Sequence, residues 1–218
     1  MMVIEDYKRN ERFQHHLDVI RANAPVSYGG LKLYEGKRNY LMQSPKEFAA
    51  TLCFLEGYFK NKEVKYLEIG TASNLTNSMI WNSLNIKENV IIDNLECPNI
   101  AESLVGNLAF KQNTVLIVGD STQNSIKEKV QALQYKYNLM LIDGNHDFEY
   151  YSQFLSKDGL LIFHDIDNDA VAGVRKFITT NSILRKNFIQ RSNFVDSGNY
   201  LKKNTFGSQC GIGIFSLI

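Results

Sequence analysis

At 218 residues the chain has room for one full α/β domain, and its 44% apolar residues can fill a core between a sheet and its helices. Its 24 Lys and Arg nearly cancel its 23 Asp and Glu, which removes the overall field that draws a protein to nucleic acid or to an anionic membrane. The 3 cysteines, Cys53, Cys97 and Cys210, are too few and too scattered for a disulfide scaffold or a thiolate zinc site, so they read as reduced, cytosolic thiols.

Met1 to Arg21 carries charges throughout and lacks the apolar stretch of a signal peptide, and no run approaches membrane-spanning length; a soluble, cytoplasmic protein is expected. Ile4 to Ala22 reads as a polar helical stretch with His15 and His16 on its solvated surface. A loop with Pro25, Gly29 and Gly30 follows, and residues 1–43 together are expected to cap the domain. Ser44 and Pro45 start the next helix, Ser as N-cap and Pro in the first turn, and Phe48, Leu52, Leu55 and Phe59 form its buried stripe.

Beyond residue 60, apolar runs alternate with amphipathic segments, as when parallel strands are joined by crossover helices. The predicted strands are Val64 to Ile69, Asn89 to Asp93, Thr114 to Val118, Asn138 to Asp143 and Leu160 to His164, each apolar enough to be covered on both faces. Helical spacing joins Ile100, Leu104 and Leu108, then Ile126, Val130 and Leu133, then Val171, Val174 and Ile178. Asn187 to Val195 and Cys210 to Leu217 read as strands separated only by the polar stretch Asp196 to Ser208, which predicts an antiparallel hairpin at the sheet edge. No repeat or linker divides the core at 44–218.

Ligands of an open parallel sheet sit beyond the carboxyl ends of its strands. The first run ends in Glu68, Ile69, Gly70, Thr71, Ala72 and Ser73, where the glycine permits a tight turn and small residues admit a ligand to the backbone. The second ends at Asp93, a carboxylate able to accept both hydroxyl hydrogens of a ribose, with Glu96 as its substitute. The third ends Gly119, Asp120 and Ser121, near where an adenine amino group would lie; its plainer reading is a turn with a helix cap at Ser121 or Thr122. The turn after the first strand lacks the G-x-G-x-x-G spacing that seats a pyrophosphate, so S-adenosylmethionine fits it better than a dinucleotide.

The fourth run leads into Asp143, Gly144, Asn145, His146 and Asp147, and the fifth into His164, Asp165, Ile166 and Asp167. Adjacent strands thus bring carboxylates and imidazoles to one crevice, a donor set suited to Mg²⁺, Mn²⁺ or another divalent cation. With the Gly159 to Ile166 run and Gly173-Val174-Arg175, these motifs resemble the class I S-adenosylmethionine-dependent methyltransferases of the macrocin and mycinamicin O-methyltransferase and cephalosporin hydroxylase-type group, over roughly Val64 to Ile178.

The resemblance implies a single Rossmann-like domain: a mostly parallel seven-stranded sheet with an antiparallel C-terminal hairpin, helices on both faces and an N-terminal helical cap. It implies that Asp143 and an acidic pair after the fifth strand bind a metal, and that His146 acts as base. The chain departs from that pattern at His164, which stands where such relatives have an acid, so that His164 or Asp167 becomes the further candidate ligand beside Asp143 and Asp165. The short span from Asp143 to Asp165 also predicts a stunted helix between the fourth and fifth strands.

The expected function is transfer of a methyl group from S-adenosylmethionine to a hydroxyl of a small molecule or glycan, with Asp143, His146 and Asp165 as the catalytic unit. Glu68, Gly70, Thr71, Ser73, Asp93, Asp120, Ser121 and Asp143 are the expected cofactor contacts, and Asp143, Asp165 and His164 the expected metal ligands. Neither nucleic acid nor membrane is an expected partner, and a homo-oligomer is left open. Two other readings stand beside it: an NAD(P)-dependent oxidoreductase on a similar sheet, and a degenerate methyltransferase fold that binds a partner without catalysis.

Overall fold

The computed structural model describes residues 1–23, 43–72, 74–96, 112–143, 148–167, 172–196 and 211–218. After a 3-10 turn at Ile4–Tyr7 come α1 (Glu11–Asn23), α2 (Pro45–Tyr58), β1 (Val64–Ile69), α3 (Leu75–Ser83), β2 (Ile86–Asp93), β3 (Thr114–Val118) and α4 (Asn124–Ala132). β4 (Tyr137–Ile142), α5 (Phe148–Tyr151), β5 (Leu155–His164), α6 (Ala172–Thr180), α7 (Ser182–Asn187), β6 (Phe188–Phe194) and β7 (Ile212–Leu217) complete the order. The strands build one 7-stranded sheet, β3-β2-β1-β4-β5-β7-β6. β1 to β5 are parallel, and β7 lies antiparallel to both β5 and β6.

Alternation along the strands divides the core into two layers, because successive side chains point to opposite faces. Val64 and Tyr66 of β1 join Leu139, Leu141, Leu160 and Ile162 beneath the stripe Phe48, Leu52 and Leu55 of α2. Phe13, Leu17 and Ile20 of α1 close the same layer. Leu67 and Ile69 face the other way, where Met140, Ile142, Leu161 and Phe163 meet Ile126 and Val130 of α4, Phe148 of α5 and Leu184 of α7. Strands covered on both sides must be apolar almost throughout, which is why the runs stand out in the sequence.

Several expectations need correction. β2 and β5 begin earlier than their apolar cores, at Ile86 and Leu155, because pairing with β1 and β4 carries regular structure into polar residues. The cap of α4 is Gln123; Ser121 and Thr122 precede it in the turn. Ser44 does stand at the N-cap of α2, yet its side chain makes no capping bond. His16 is not solvated: it is 5% exposed and its Nε2 lies 3.1 Å from Glu56 Oε2, because α1 lies against α2 rather than in water. Burial pushes the His16 pKa down despite that carboxylate. The helix α7 was not expected; Asn181 caps it by accepting the Leu184 amide at 2.8 Å.

The stunted connection between β4 and β5 is found as the 4-residue α5 followed by a 3-residue 3-10 turn. Ile100, Leu104, Leu108 and Val171, the loop with Pro25, Gly29 and Gly30, Cys97, Cys210 and most of the polar stretch after Asp196 lie outside the described residues. Among the described residues no helix is long and apolar enough to cross a membrane.

Candidate active site

The strand order reverses about β1, with β2 on one side and β4 on the other, so the switch point where such sheets bind ligands lies at the carboxyl ends of β1 and β4. Sheet hydrogen bonds run on past these ends. Gly70 donates to the Ile92 carbonyl at 2.9 Å, Asp143 to Ile69 at 3.0 Å and Gly119 to Asp93 at 3.0 Å. The turns that follow are therefore anchored to the sheet, and a crevice opens among them. Gly70, Asp93, Asn94, Asp120 and Ser121 line it above Ile69 and Ile92.

Gly70 has φ +79°, a conformation that favours glycine, and a Cβ there would stand 3.1 Å from Asp143 Cβ. That close approach joins the crevice to the end of β4. Asp93 organises the other side: Oδ2 accepts the amides of Thr71 at 2.8 Å and Ala72 at 3.1 Å, and Oδ1 accepts that of Leu95 at 2.7 Å. Ala72, Asn74 and Leu95 all have positive φ. Non-glycine residues hold such conformations only where their surroundings impose them, and Asp93 supplies part of that restraint.

Glu68 does not line the crevice. It faces α3, where Oε2 accepts Tyr66 Oη at 2.9 Å and Asn77 Nδ2 at 2.5 Å, in a buried network that continues through Asn89 to Thr114. Thr71 is likewise buried, its Oγ1 accepting Asn74 Nδ2 at 2.9 Å. Asp120 is exposed and folds back on Thr122, while the Ser121 carbonyl accepts Tyr151 Oη at 2.9 Å. Ser73 and His146 lie outside the described residues.

At the ends of β4 and β5, Asp143, His164 and Asp165 converge. His164 Nδ1 lies 3.1 Å from Asp143 Oδ1 and 3.4 Å from Asp165 Oδ2. The ring is 3% exposed, and Asp165 has φ +60°. Burial alone would push the imidazole toward its neutral form, but Asp165 and Asp143 outweigh it and hold the pKa well above the ordinary histidine value. Asp167 stands apart from the three, paired with Arg175.

Glu47 escaped the sequence reading. It is fully buried in the first turn of α2, and burial pushes its carboxyl up to about 7. One helical turn before Thr51 and two before Leu55, both buried, it shares their inward row, and that was the available signal.

The whole arrangement can be set beside known structures. A Streptomyces achromogenes protein, the O-methyltransferase TomG of tomaymycin synthesis, solved with S-adenosylmethionine, matches with TM-score 0.59 and 15% identity over 96% of this chain and 91% of that one. The fold is that of the Rossmann-like methyltransferases. A Pyrococcus horikoshii protein assigned as an RNA methyltransferase matches with TM-score 0.58 and 14% identity over 95% and 98% of the two chains. A Staphylococcus aureus protein assigned as a caffeoyl-CoA O-methyltransferase matches with TM-score 0.53 and 16% identity over 93% and 97%. No protein-family model and no curated protein sequence matches this chain. At these identities the likeness is one of fold.

Proposed function

We propose that the chain is an S-adenosylmethionine-dependent O-methyltransferase that acts on a hydroxyl of a small molecule or glycan, assisted by a divalent cation. The observation that carries this reading is the contact at Gly70, where a crevice at the ends of β1, β2 and β3 meets the Asp143, His164 and Asp165 cluster. Cofactor and acceptor sites would then share one wall. TomG and the Staphylococcus aureus neighbour support an oxygen acceptor. The formal net charge of +1 weighs against an RNA acceptor like that assigned to the Pyrococcus horikoshii neighbour.

S-adenosylmethionine, when bound, supplies a methyl group on an electrophilic sulfonium. Asp93 is suited to the ribose: a carboxylate has about four lone-pair sites, and the three backbone amides it accepts leave capacity for one further donor beside Asn94. Ser121 and Asp120 stand at the far side of the crevice, in reach of the base in this reading.

The donor types suit a divalent ion, and His164 Nδ1 lies 3.1 Å and 3.4 Å from the two carboxylates, while the three donor atoms together lie within 4.8 Å of one another. Ligands about 2.1 Å from a shared metal lie roughly 3 Å from their neighbours, so the side chains would draw inward to enclose an ion. Such an ion would lower the pKa of the acceptor hydroxyl. Asp143, His164 and Asp165 would hold it, and the imidazole must give up its Nδ1 proton to do so. Removal of the hydroxyl proton is assigned to His146, which follows Asp143 in the chain.

Calorimetry with S-adenosylhomocysteine and with NAD(P)H tests the cofactor, and a chelator tests the metal. Binding of the nucleoside, with methyl transfer lost in chelator and restored by Mg²⁺ or Mn²⁺, is the expected result. Binding of NAD(P)H alone would replace the reading with an oxidoreductase. The ion pairs of His164 with both carboxylates favour one other outcome, a fold that binds the nucleoside but transfers nothing.

A further inference from the structure

Glu47 is completely buried, and the candidate site as described does not use it. Enclosing a carboxylate is costly unless its oxygens are satisfied, and an apolar residue would fill the space without that penalty. Its two oxygens are spent on two backbone amides far along the chain. Oε1 accepts Asp196 N–H at 2.7 Å, just beyond β6, and Oε2 accepts Gly211 N–H at 3.0 Å, just before β7. Lys46 adds a second hold on Asp196, its Nζ 3.3 Å from the carboxylate.

From Gly211 the path leads directly to the cluster. Its carbonyl accepts the amide of Ile166 at 3.3 Å, and with φ +71° a Cβ there would stand 2.8 Å from Ile166 Cγ1. Ile166 follows Asp165, which has φ +60° and lies 3.4 Å from His164 Nδ1. A left-handed aspartate persists where neighbouring structure over-determines it. The Gly211 and Ile166 contact lies next to it and is part of that neighbouring structure. His164 is also paired with Ile212, the residue after Gly211, in the β5–β7 ladder.

We infer that Glu47 is a positioning residue: by clamping the amides of Asp196 and Gly211 it fixes Gly211 under Ile166 and so keeps Asp165 beside His164. The reaction it would serve is the methyl transfer proposed above, on which this inference rests for its purpose but not for its geometry.

The test is Glu47→Gln, near-isosteric but offering an amide nitrogen to one of the two N–H groups, with Glu47→Ala as the stronger lesion. Amide hydrogen exchange should accelerate at Asp196 and Gly211. The ring ¹⁵N resonances of His164 should move. Turnover should fall about tenfold or more in kcat, with acceptor KM and S-adenosylhomocysteine affinity within about twofold of wild type, because Glu47 touches neither ligand. Faster exchange at both amides with unmoved His164 resonances and unchanged kcat would overturn the inference and leave Glu47 a folding residue only. If wild type binds no S-adenosylhomocysteine, the proposed function fails, and the His164 resonances in Glu47→Gln still decide the positioning role. Should Glu47→Ala not fold, Glu47→Gln carries the same decision.

Discussion

Carboxylates at the mouth of the sheet serve two different ends, and a comparison of Asp93 and Glu47 with Asp143 and Asp165 shows what separates them. The first two turn their oxygens toward backbone amides: Thr71, Ala72 and Leu95 for Asp93, Asp196 and Gly211 for Glu47. Asp143 and Asp165 instead converge on one imidazole. An amide is a fixed donor that cannot leave, so a carboxylate spent on it becomes architecture. An imidazole can lose its proton or exchange it for a cation, so a carboxylate aimed at one keeps its chemistry available. Carboxylates near one end of the sheet thus differ by partner, amide or imidazole, and in the proposed reading the first kind is frame and the second reagent.

The largest effect expected from this division is at the reagent pair. Asp143→Asn should lower turnover by a hundredfold or more while S-adenosylhomocysteine affinity falls by no more than a few-fold, since Asp143 borders the crevice at Gly70 but turns its carboxylate to His164. His146→Ala should do the same, and the two effects should be far from additive. Steady-state kinetics beside calorimetry reads both, and an Asp143→Asn protein with full wild-type turnover would erase the distinction between the pairs.

A smaller effect is expected in the stability of the frame. The folded-state pKa of Glu47 is about 7 against an ordinary 4.5, so between those values the folded protein keeps a proton that the unfolded chain releases. Its contribution is fully present below about pH 4.5 and is lost as pH rises through about 7. Denaturant titrations at pH 5 and pH 8 should show wild type losing about 2 to 3 kcal/mol more than Glu47→Gln over that interval, at roughly 1.4 kcal/mol per pH unit. An equal loss in both proteins would remove Glu47 as the titrating group.

The smallest effect falls on the cofactor. Asp93→Ala releases three amides as well as any ribose hydroxyl, so nucleoside affinity should weaken by about 1 to 3 kcal/mol and thermal stability should fall with it. Asn94→Ala should weaken affinity less, with no comparable loss of stability. If Asp93→Ala lost stability at unchanged affinity, Asp93 would be frame alone.

The sequence by itself determined the strands and their order along the chain, though not the helix α7. β1 matches its predicted bounds, Val64–Ile69, because an interior parallel strand must be apolar on both faces, and that need is written locally in the chain. β3 also matches its bounds, Thr114–Val118, but it is the edge strand and is not covered on both faces as expected, since Val115 and Val118 are exposed. The sequence determined too that Asp143, His164 and Asp165 stand at strand ends, since a polar residue closing an apolar run has no other place to be. The tertiary structure alone decided what each polar group faces. Whether Asp93 meets a ligand or the amide of Thr71, whether His16 meets water or Glu56, and that Glu47 reaches Gly211 all depend on partners far away in sequence. The physical reason is that apolar periodicity repeats over a few residues and survives averaging along the chain, whereas the satisfaction of a buried polar group is a single pairwise event fixed only once the layers have packed.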